Sequence, residues 1–286
     1  RYRAGDLDMT SYGLPPEQFA KLQKELPGEV YVTRTLATYS YELNNKKAPF
    51  DNVNIRKALN LSLDRNVITD KVLGQGQTPT YVFTPTYIEE GHLIQQPAYS
   101  KEPMAQRNEE AIKLLEEAGY SKANPLKFSI LYNTNENHKK VAIAAASVWK
   151  ANTKGLIDVK LENQEWKTYI DSRRAGRYDA ARAGWSADYN QATTFGNYFL
   201  SNSSNNTAKY ANPEYDKAMA ESYAATDAEG RAKAYAKAEE ILAKDYGIVP
   251  IFNYVNPRLV KPYVKGYSGK DPQDHIYLRN LYIIKH

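Results

Sequence analysis

Cysteine is absent from the 286 residues. That removes disulfide frameworks, thiolate metal sites and cysteine nucleophiles together, though it does not separate cytoplasm from periplasm. No stretch approaches the roughly 18 uninterrupted apolar residues of a membrane helix. The opening Arg1-Tyr2-Arg3-Ala4-Gly5-Asp6 has no apolar signal-peptide core, so no leader is expected within this chain. Histidine is scarce: His92, His138, His275 and His286 never fall in H-x-x-x-H spacing. No G-x-S-x-G, S-x-x-K or Walker loop occurs. Gly74-Gln75-Gly76 is too short to cradle phosphate and reads as a turn, and Glu116-Glu117 reads as part of a solvated helix surface. Catalysis has no residue set to stand on, so neither an enzyme nor a cofactor or metal is expected.

A basic stripe is lacking too. The 38 lysines and arginines exceed the 33 acidic residues by five, but they are scattered and interleaved with acids, as in Arg107-Asn108-Glu109-Glu110-Ala111-Ile112-Lys113. That is a solvated helix face, and no nucleic acid is expected. What is abundant is tyrosine, 24 against 7 phenylalanines. A flat ring with a polar tip suits walls that hold varied, partly hydrated ligands, and equally suits a half-wet surface.

Periodicity predicts an α/β chain. A short helix is expected within 10–29, started by Pro15-Pro16 and ended by Pro27-Gly28, then strands over 30–32 and 38–43. Helices follow over 53–60 and from 63 to 73, then a Pro-, Gly- and Tyr-rich excursion from 78 to 104. Helix 108–118, strand 126–132, helix 138–152, strand 156–161, helix 166–174 and strand 178–184 alternate at short spacing, which predicts βαβ units and a largely parallel sheet. Helix 213–224 comes next. Thr226-Asp227-Ala228-Glu229 has the form of a capping box opening a helix to Asp245. A strand over 247–254 and an irregular tail close the chain.

Asp179-Ala180-Ala181-Arg182-Ala183-Gly184-Trp185-Ser186-Ala187-Asp188-Tyr189-Asn190 carries the sharpest chemistry. A cation, an indole and a carboxylate at a strand end stand where α/β sheets bind ligands. Asp188 suits an ammonium, Arg182 a carboxylate and Trp185 a pocket wall. A structural ion pair beside a buried tryptophan accounts for the spacing equally well, and both readings stay open.

The stretch Arg182 to Asn190 also resembles the family-5 solute-binding proteins of ABC importers, in their oligopeptide-binding branch. So do Pro49-Phe50-Asp51-Asn52-Val53-Asn54-Ile55-Arg56-Lys57-Ala58-Leu59 with Asp64-Arg65, Asn163-Gln164-Glu165-Trp166-Lys167-Thr168, Leu200-Ser201-Asn202-Ser203-Ser204, Val255 to Pro262, and both ends of the chain, Arg1 to Thr10 and Tyr282 to His286. The resemblance runs through the whole chain.

It implies a periplasmic-binding-protein-like lobe (type II, cluster C), incomplete without an N-terminal half. Residues 1–37 would belong to a partial first domain, 38–256 to a third domain that forms the peptide-binding lobe, and 257–286 to a return into the first. The implied function is capture of short peptides in the periplasm for the membrane permease subunits of an ABC importer, by a monomer. The same fold binding murein peptide, dipeptide or haem is the alternative. Residue by residue, the resemblance implies that Asp188 takes the peptide α-ammonium. Arg182, Arg173 and His138 take the C-terminal carboxylate at different peptide lengths. Trp185, Trp166 and Tyr254 line side-chain pockets, with Ser186 in the pocket lining. Phe252 and Asn253 stand where a relative carries tyrosines, which alters one pocket, and two extra residues near Thr153-Lys154 fall in a turn.

Overall fold

The structure, a computed structural model, describes residues 1–11 and 13–285; Tyr12 and His286 lie outside the described residues. In chain order the main elements are α1 (Pro16–Glu25), β1 (Val30–Leu43), α2 (Val53–Ser62), β2 (Thr78–Pro79), α3 (Met104–Glu117), β3 (Leu126–Asn133), α4 (Glu136–Asn152), β4 (Ile157–Gln164), α5 (Trp166–Arg174), β5 (Ala180–Ser186), α6 (Thr193–Gly196), α7 (Pro213–Ala224), α8 (Ala228–Lys244), β6 (Ile248–Leu259), β7 (Val264–Lys265) and β8 (Tyr282–Ile283). Most fall where apolar spacing predicts them. The segment expected as a helix from 63 to 73 ends in a π-helical turn, Val67–Leu73.

One six-stranded sheet, β2-β6-β1-β5-β3-β4, organises the molecule. Only β5, β3 and β4 run parallel, through the two βαβ units that α4 and α5 close. The largely parallel sheet expected from alternation is therefore mixed. β1 lies antiparallel to β5 on one side and to β6 on the other. Alternation counts neighbours in sequence, whereas β1 and β6 come together from opposite ends of the chain.

Two elements are longer than predicted. The separate strands at 30–32 and 38–43 are one strand, β1, kept continuous across a register shift against β6 between Arg34 and Thr38. β6 likewise runs on to Leu259 through Pro250 and Pro257. A third difference is at α8. Its N-cap is Asp227, whose carboxylate accepts the Gly230 amide at 2.6 Å, and not the Thr226–Glu229 box. The anion one residue on is the stronger acceptor for a first-turn amide.

Helices cover both faces. Alternation along β1 sends Tyr39, Tyr41 and Leu43 to one face, where Ile130, α2, α3 and α4 complete the largest apolar core. Trp149 of α4 is fully buried there, and its indole N–H donates to the Leu59 carbonyl at 2.9 Å. On the opposite face Leu131 and Ala181 pack on Tyr169 of α5. Farther along, Leu36, Phe83, Phe195 and Phe199 pack with α7 and α8.

Two buried arginines are structural. Arg65, fully buried, donates to the carbonyls of Thr80, Pro250, Asn60 and Leu63 and to the Asn60 side chain. Arg56 caps the end of α8 by donating to the carbonyls of Asp245 and Tyr246. Each guanidinium gathers carbonyls from several segments that lack secondary-structure partners.

Candidate functional site

The candidate site grows from the end of β5. β3 pairs with β5 only at Ala180 and Ala181, so Arg182 to Ser186 leave one strand edge open. Which backbone groups face that edge follows from antiparallel geometry. The Ala187 amide donates to the Leu36 carbonyl and the Asn44 amide to the Asp179 carbonyl, so odd-numbered residues turn toward β1. Arg182, Gly184 and Ser186 therefore turn their N–H and C=O groups away from β1, but the Arg182 carbonyl already accepts the Tyr169 hydroxyl, so the edge open to an added strand is that of Gly184 and Ser186. Gly184 and Ser186 are exposed. This is a free template for an added strand.

At the inner end stands Arg182. One of its terminal nitrogens donates to the Tyr254 hydroxyl at 2.6 Å, and its guanidinium carbon lies 5.1 Å from the Tyr39 ring centre. No carboxylate pairs with it among the described residues, and its buried Nε has no partner. Burial opposes its charge, but the oxygens of Tyr254, Tyr39 and Tyr169 around it hold its pKa above the ordinary value. A desolvated cation without a counterion is an anion site in waiting. The absence of a side chain at residue 184 makes room for it: a Cβ there would lie 2.9 Å from Nη2 of Arg182 and 3.1 Å from the Tyr254 hydroxyl.

His138, in the first turn of α4, faces the same cluster, its ring 5.6 Å from that of Tyr39. Burial first, and then the positive charge of Arg182, push its pKa down to about 3. At neutral pH it is an uncharged imidazole, a hydrogen-bonding group rather than a second cation. The hydroxyls of Tyr39 and Tyr41 are buried on this face, with no well-formed hydrogen bond to another group among the described residues. A cavity of about 470 Å³ lined by Tyr39, Asn135, His138, Phe252 and Tyr254 opens beside them.

At the outer end Asp188 is exposed, with no ion pair among the described residues. It is not buried against Arg182. Trp185 is half-buried, edge-on to Tyr198 at 5.0 Å between ring centres. Its indole N–H and the Asp188 amide both donate to the Thr194 hydroxyl, each at 3.3 Å. Trp166 opens α5 and is 58% exposed, so it is no core tryptophan; it leans on Tyr169, whose hydroxyl donates to the Arg182 carbonyl.

Arg173 is drawn elsewhere. It lies on the opposite face of the sheet, where its Nη2 meets the fully buried Glu42 at 2.9 Å and donates to Tyr198 and Thr207. The structure thus gathers Arg182, His138 and Tyr254 at one end, Trp185, Ser186 and Asp188 at the other, and sets Arg173 apart with its charge already met. Sequence reasoning missed Tyr39, Tyr169, Thr194 and Glu42. Only the alternation along β1, which puts Tyr39 on the Arg182 side and Glu42 on the other, carried any signal for them. A larger cavity, about 850 Å³ between α8 and residues 93–102, contains none of the predicted site residues.

Comparisons with known proteins identify the family. The profile of the bacterial extracellular solute-binding proteins, family 5 Middle, matches residues 1–207. The chain is 98% identical over 286 residues to the periplasmic oligopeptide-binding protein OppA of Haemophilus influenzae, covering all of this chain and 53% of that protein. It is similar to the crystal structure of Haemophilus influenzae OppA in complex with RPPGFSPFR, with a TM-score of 0.92 at 98% identity, covering 100% of this chain and 56% of that one. It is also similar to the Escherichia coli murein tripeptide binding protein MppA, with a TM-score of 0.90 at 43% identity, covering 100% of this chain and 55% of that one. The chain spans about half the length of the curated relatives it matches. On these grounds the chain belongs to the family-5 bacterial extracellular solute-binding proteins.

Proposed function

We propose that this chain forms one wall of the ligand cleft in the periplasmic substrate-binding component of an ABC peptide importer, and that the protein catalyses no reaction. One observation carries the reading: an open strand edge lies between a half-buried cation without a counterion among the described residues, Arg182, and an exposed carboxylate with no ion pair among them, Asp188. A peptide lying antiparallel to β5 would bring its ammonium to Asp188 and its carboxylate toward Arg182 and the neutral His138. Its backbone would pair with Gly184 and Ser186. Five strand residues span about 16 Å, the length of an extended tetra- or pentapeptide. Trp185, Trp166 and Tyr254 then wall side-chain pockets, while the termini and backbone supply affinity that does not depend on sequence. Arg173 acts on ligand, if a longer peptide reaches it, from behind its ion pair with Glu42.

The domain division belongs to the same proposal: 1–37 and 257–286 form part of a first domain, and 38–256 the peptide-binding lobe. Tyr2, Leu14, Phe19, Leu22 and Leu259 make an apolar cluster of their own, which supports it. So does the register shift in β1 between Arg34 and Thr38. The permease subunits would read the closed form of the two lobes.

Calorimetry of the full-length protein with free, N-acetylated and C-amidated tri- to pentapeptides tests the reading. Free peptides should bind at least tenfold more tightly than either blocked form. Equal binding of free and N-acetylated peptides would remove Asp188 from its role and sink the terminus-gripping mechanism. Cleavage of the peptide during the titration would overturn the receptor reading itself.

A further inference from the structure

Thr194 lies outside every segment that pointed to peptide binding, yet it touches two of the residues assigned to it. Its side chain is buried, 4% exposed. The hydroxyl oxygen accepts the Trp185 indole N–H at 3.3 Å and the Asp188 backbone N–H at 3.3 Å. Two donors fill both lone pairs of one oxygen. Without it, the indole and the backbone beneath the exposed carboxylate would share no partner.

The support under Thr194 is firm. Phe195, its neighbour in α6, is fully buried with its ring 5.2 Å from that of Phe83. Tyr215 donates to the Gly196 carbonyl at 2.8 Å, and a Cβ on Gly196 would lie 2.5 Å from Met219, so α6 sits flush against α7. Ahead of it, the Ala192 amide donates to the Glu89 carbonyl, and Gln191 reaches Glu90, which Arg231 of α8 holds through both carboxylate oxygens. The residues from Ala187 to Asn190, by contrast, overhang the end of β5, and residues 188–190 are exposed. Ala187 is tied to the Leu36 carbonyl, the Asp188 carbonyl accepts from Gln273 and the Asn190 side chain accepts the Glu89 amide; the Thr194 hydroxyl is the anchor that this loop shares with the Trp185 indole.

We propose that Thr194 is a positioning residue for ligand binding: its hydroxyl sets the Asp188 carboxylate and the Trp185 wall in one fixed relation, so that the ammonium subsite and the adjoining side-chain pocket act as a unit. The inference rests on the peptide-binding reading above and deepens it. A pocket wall tied to the ammonium subsite makes the first residues of the peptide count together: a side chain that displaces Trp185 also displaces Asp188. Thr194 touches no ligand itself.

The test uses Thr194→Val, which keeps the shape and removes the acceptor, and Thr194→Ser, which restores it, both in the full-length protein. The readout is the affinity ratio between free and N-acetylated tripeptides. Thr194→Val should weaken free peptide about tenfold, the order expected for one or two hydrogen bonds, and N-acetylated peptide by less than threefold, so that discrimination shrinks. Thr194→Ser should return the ratio to within about threefold of the parent. A valine variant that keeps full discrimination, or a serine variant that fails to restore it, overturns the proposal. If the parent itself does not discriminate, the peptide-binding reading fails instead, and the two failures are distinct. Amide hydrogen exchange in the unmodified protein covers a valine variant that does not fold. The Asp188 amide should be protected at least tenfold over the exposed Tyr189 amide, and an equally fast exchange overturns the proposal.

Discussion

Replacing Glu42 by glutamine should destabilise the protein far more than a strand polar-to-polar change ordinarily does. Glu42 is fully buried on β1 and takes three donors: Arg173 at 2.9 Å, the Tyr198 hydroxyl at 2.6 Å and the Thr207 hydroxyl. Burial opposes the charge on Arg173, but Glu42 beside it holds its pKa well above the ordinary value. The amide of Glu42→Gln keeps the shape but leaves the guanidinium buried without a counterion, and points its own N–H groups at donors. Breaking a buried pair from one side costs about 3–5 kcal/mol, because an uncompensated charge remains. For a domain of this size that corresponds to a fall of about 10 °C in Tm. Arg173→Met should cost a similar amount by stranding the carboxylate. The pair Glu42→Met with Arg173→Met removes both charges and should recover most of the loss. Thermal and urea unfolding of the parent, the single variants and the double variant give the coupling energy directly. Single variants that each lose less than about 1 kcal/mol, with additive effects, would refute the account of this network.

Other consequences follow from the same geometry. His138, with its pKa held at about 3 rather than 6.5, stays neutral in the folded protein while the unfolded chain takes up a proton below pH 6.5. Its contribution to stability is therefore intact above pH 6.5 and is lost as pH falls toward 3, by up to about 1.4 kcal/mol per pH unit. His138→Gln should flatten that slope in pH-dependent urea unfolding, and NMR titration should find one imidazole that does not protonate near neutrality. Arg182→Met should weaken free-carboxylate peptides by about 2 kcal/mol, roughly thirtyfold, and C-amidated peptides much less, as measured by calorimetry. Arg65→Leu should cost about 3 kcal/mol in unfolding experiments, because it abandons the carbonyls of Thr80 and Pro250 inside the core. If the peptide cleft is completed by the part of the relatives' length that this chain does not span, as proposed, this chain by itself should bind peptide at least ~100-fold more weakly than a full-length protein, about 2.7 kcal/mol, in calorimetry.

What the sequence disclosed was local. The α5 boundaries, the turn at Thr153 and Lys154, and the end of β5 near Ser186 follow from period, caps and residue type, which act over a few positions. What it concealed was pairing across distance. Glu42 reads as an outward polar residue in an alternating strand, and only the arrival of α5 and Tyr198 on that face makes it a buried counterion. Arg173 and Arg182 look alike in sequence, nine positions apart on a helix end and a strand. The fold gives one a carboxylate and the other only tyrosine oxygens. Thr194 was invisible for a related reason. A hydroxyl acquires a role from the donors brought to it, and those come from the end of a strand whose edge is fixed by the distant β1.

If Arg182 receives a peptide carboxylate as proposed, the contrast between the two arginines is the way a cation is kept ready for it. Pairing Arg182 with a carboxylate would satisfy it permanently, and an arriving peptide would have to break an ion pair to form one. Leaving it bare would carry the full desolvation cost of a buried charge. Tyrosine is the intermediate solution. The Tyr254 hydroxyl accepts a hydrogen bond and the Tyr39 ring offers its electron-rich face, so the guanidinium is stabilised without being neutralised. His138, held neutral by that same cation, can donate to a carboxylate without adding a second positive charge that would repel Arg182 in the empty site. Replacing Tyr254 by phenylalanine removes the hydroxyl but not the ring. If the tyrosine oxygens only buffer the charge, Tyr254→Phe should leave C-terminal recognition in place and lower the stability of the empty protein more than that of the peptide-bound form, because the incoming carboxylate takes over the lost partner's work. A larger Tm increase on peptide addition for Tyr254→Phe than for the parent is the expected result, and a smaller one would show that the hydroxyl itself contacts the ligand.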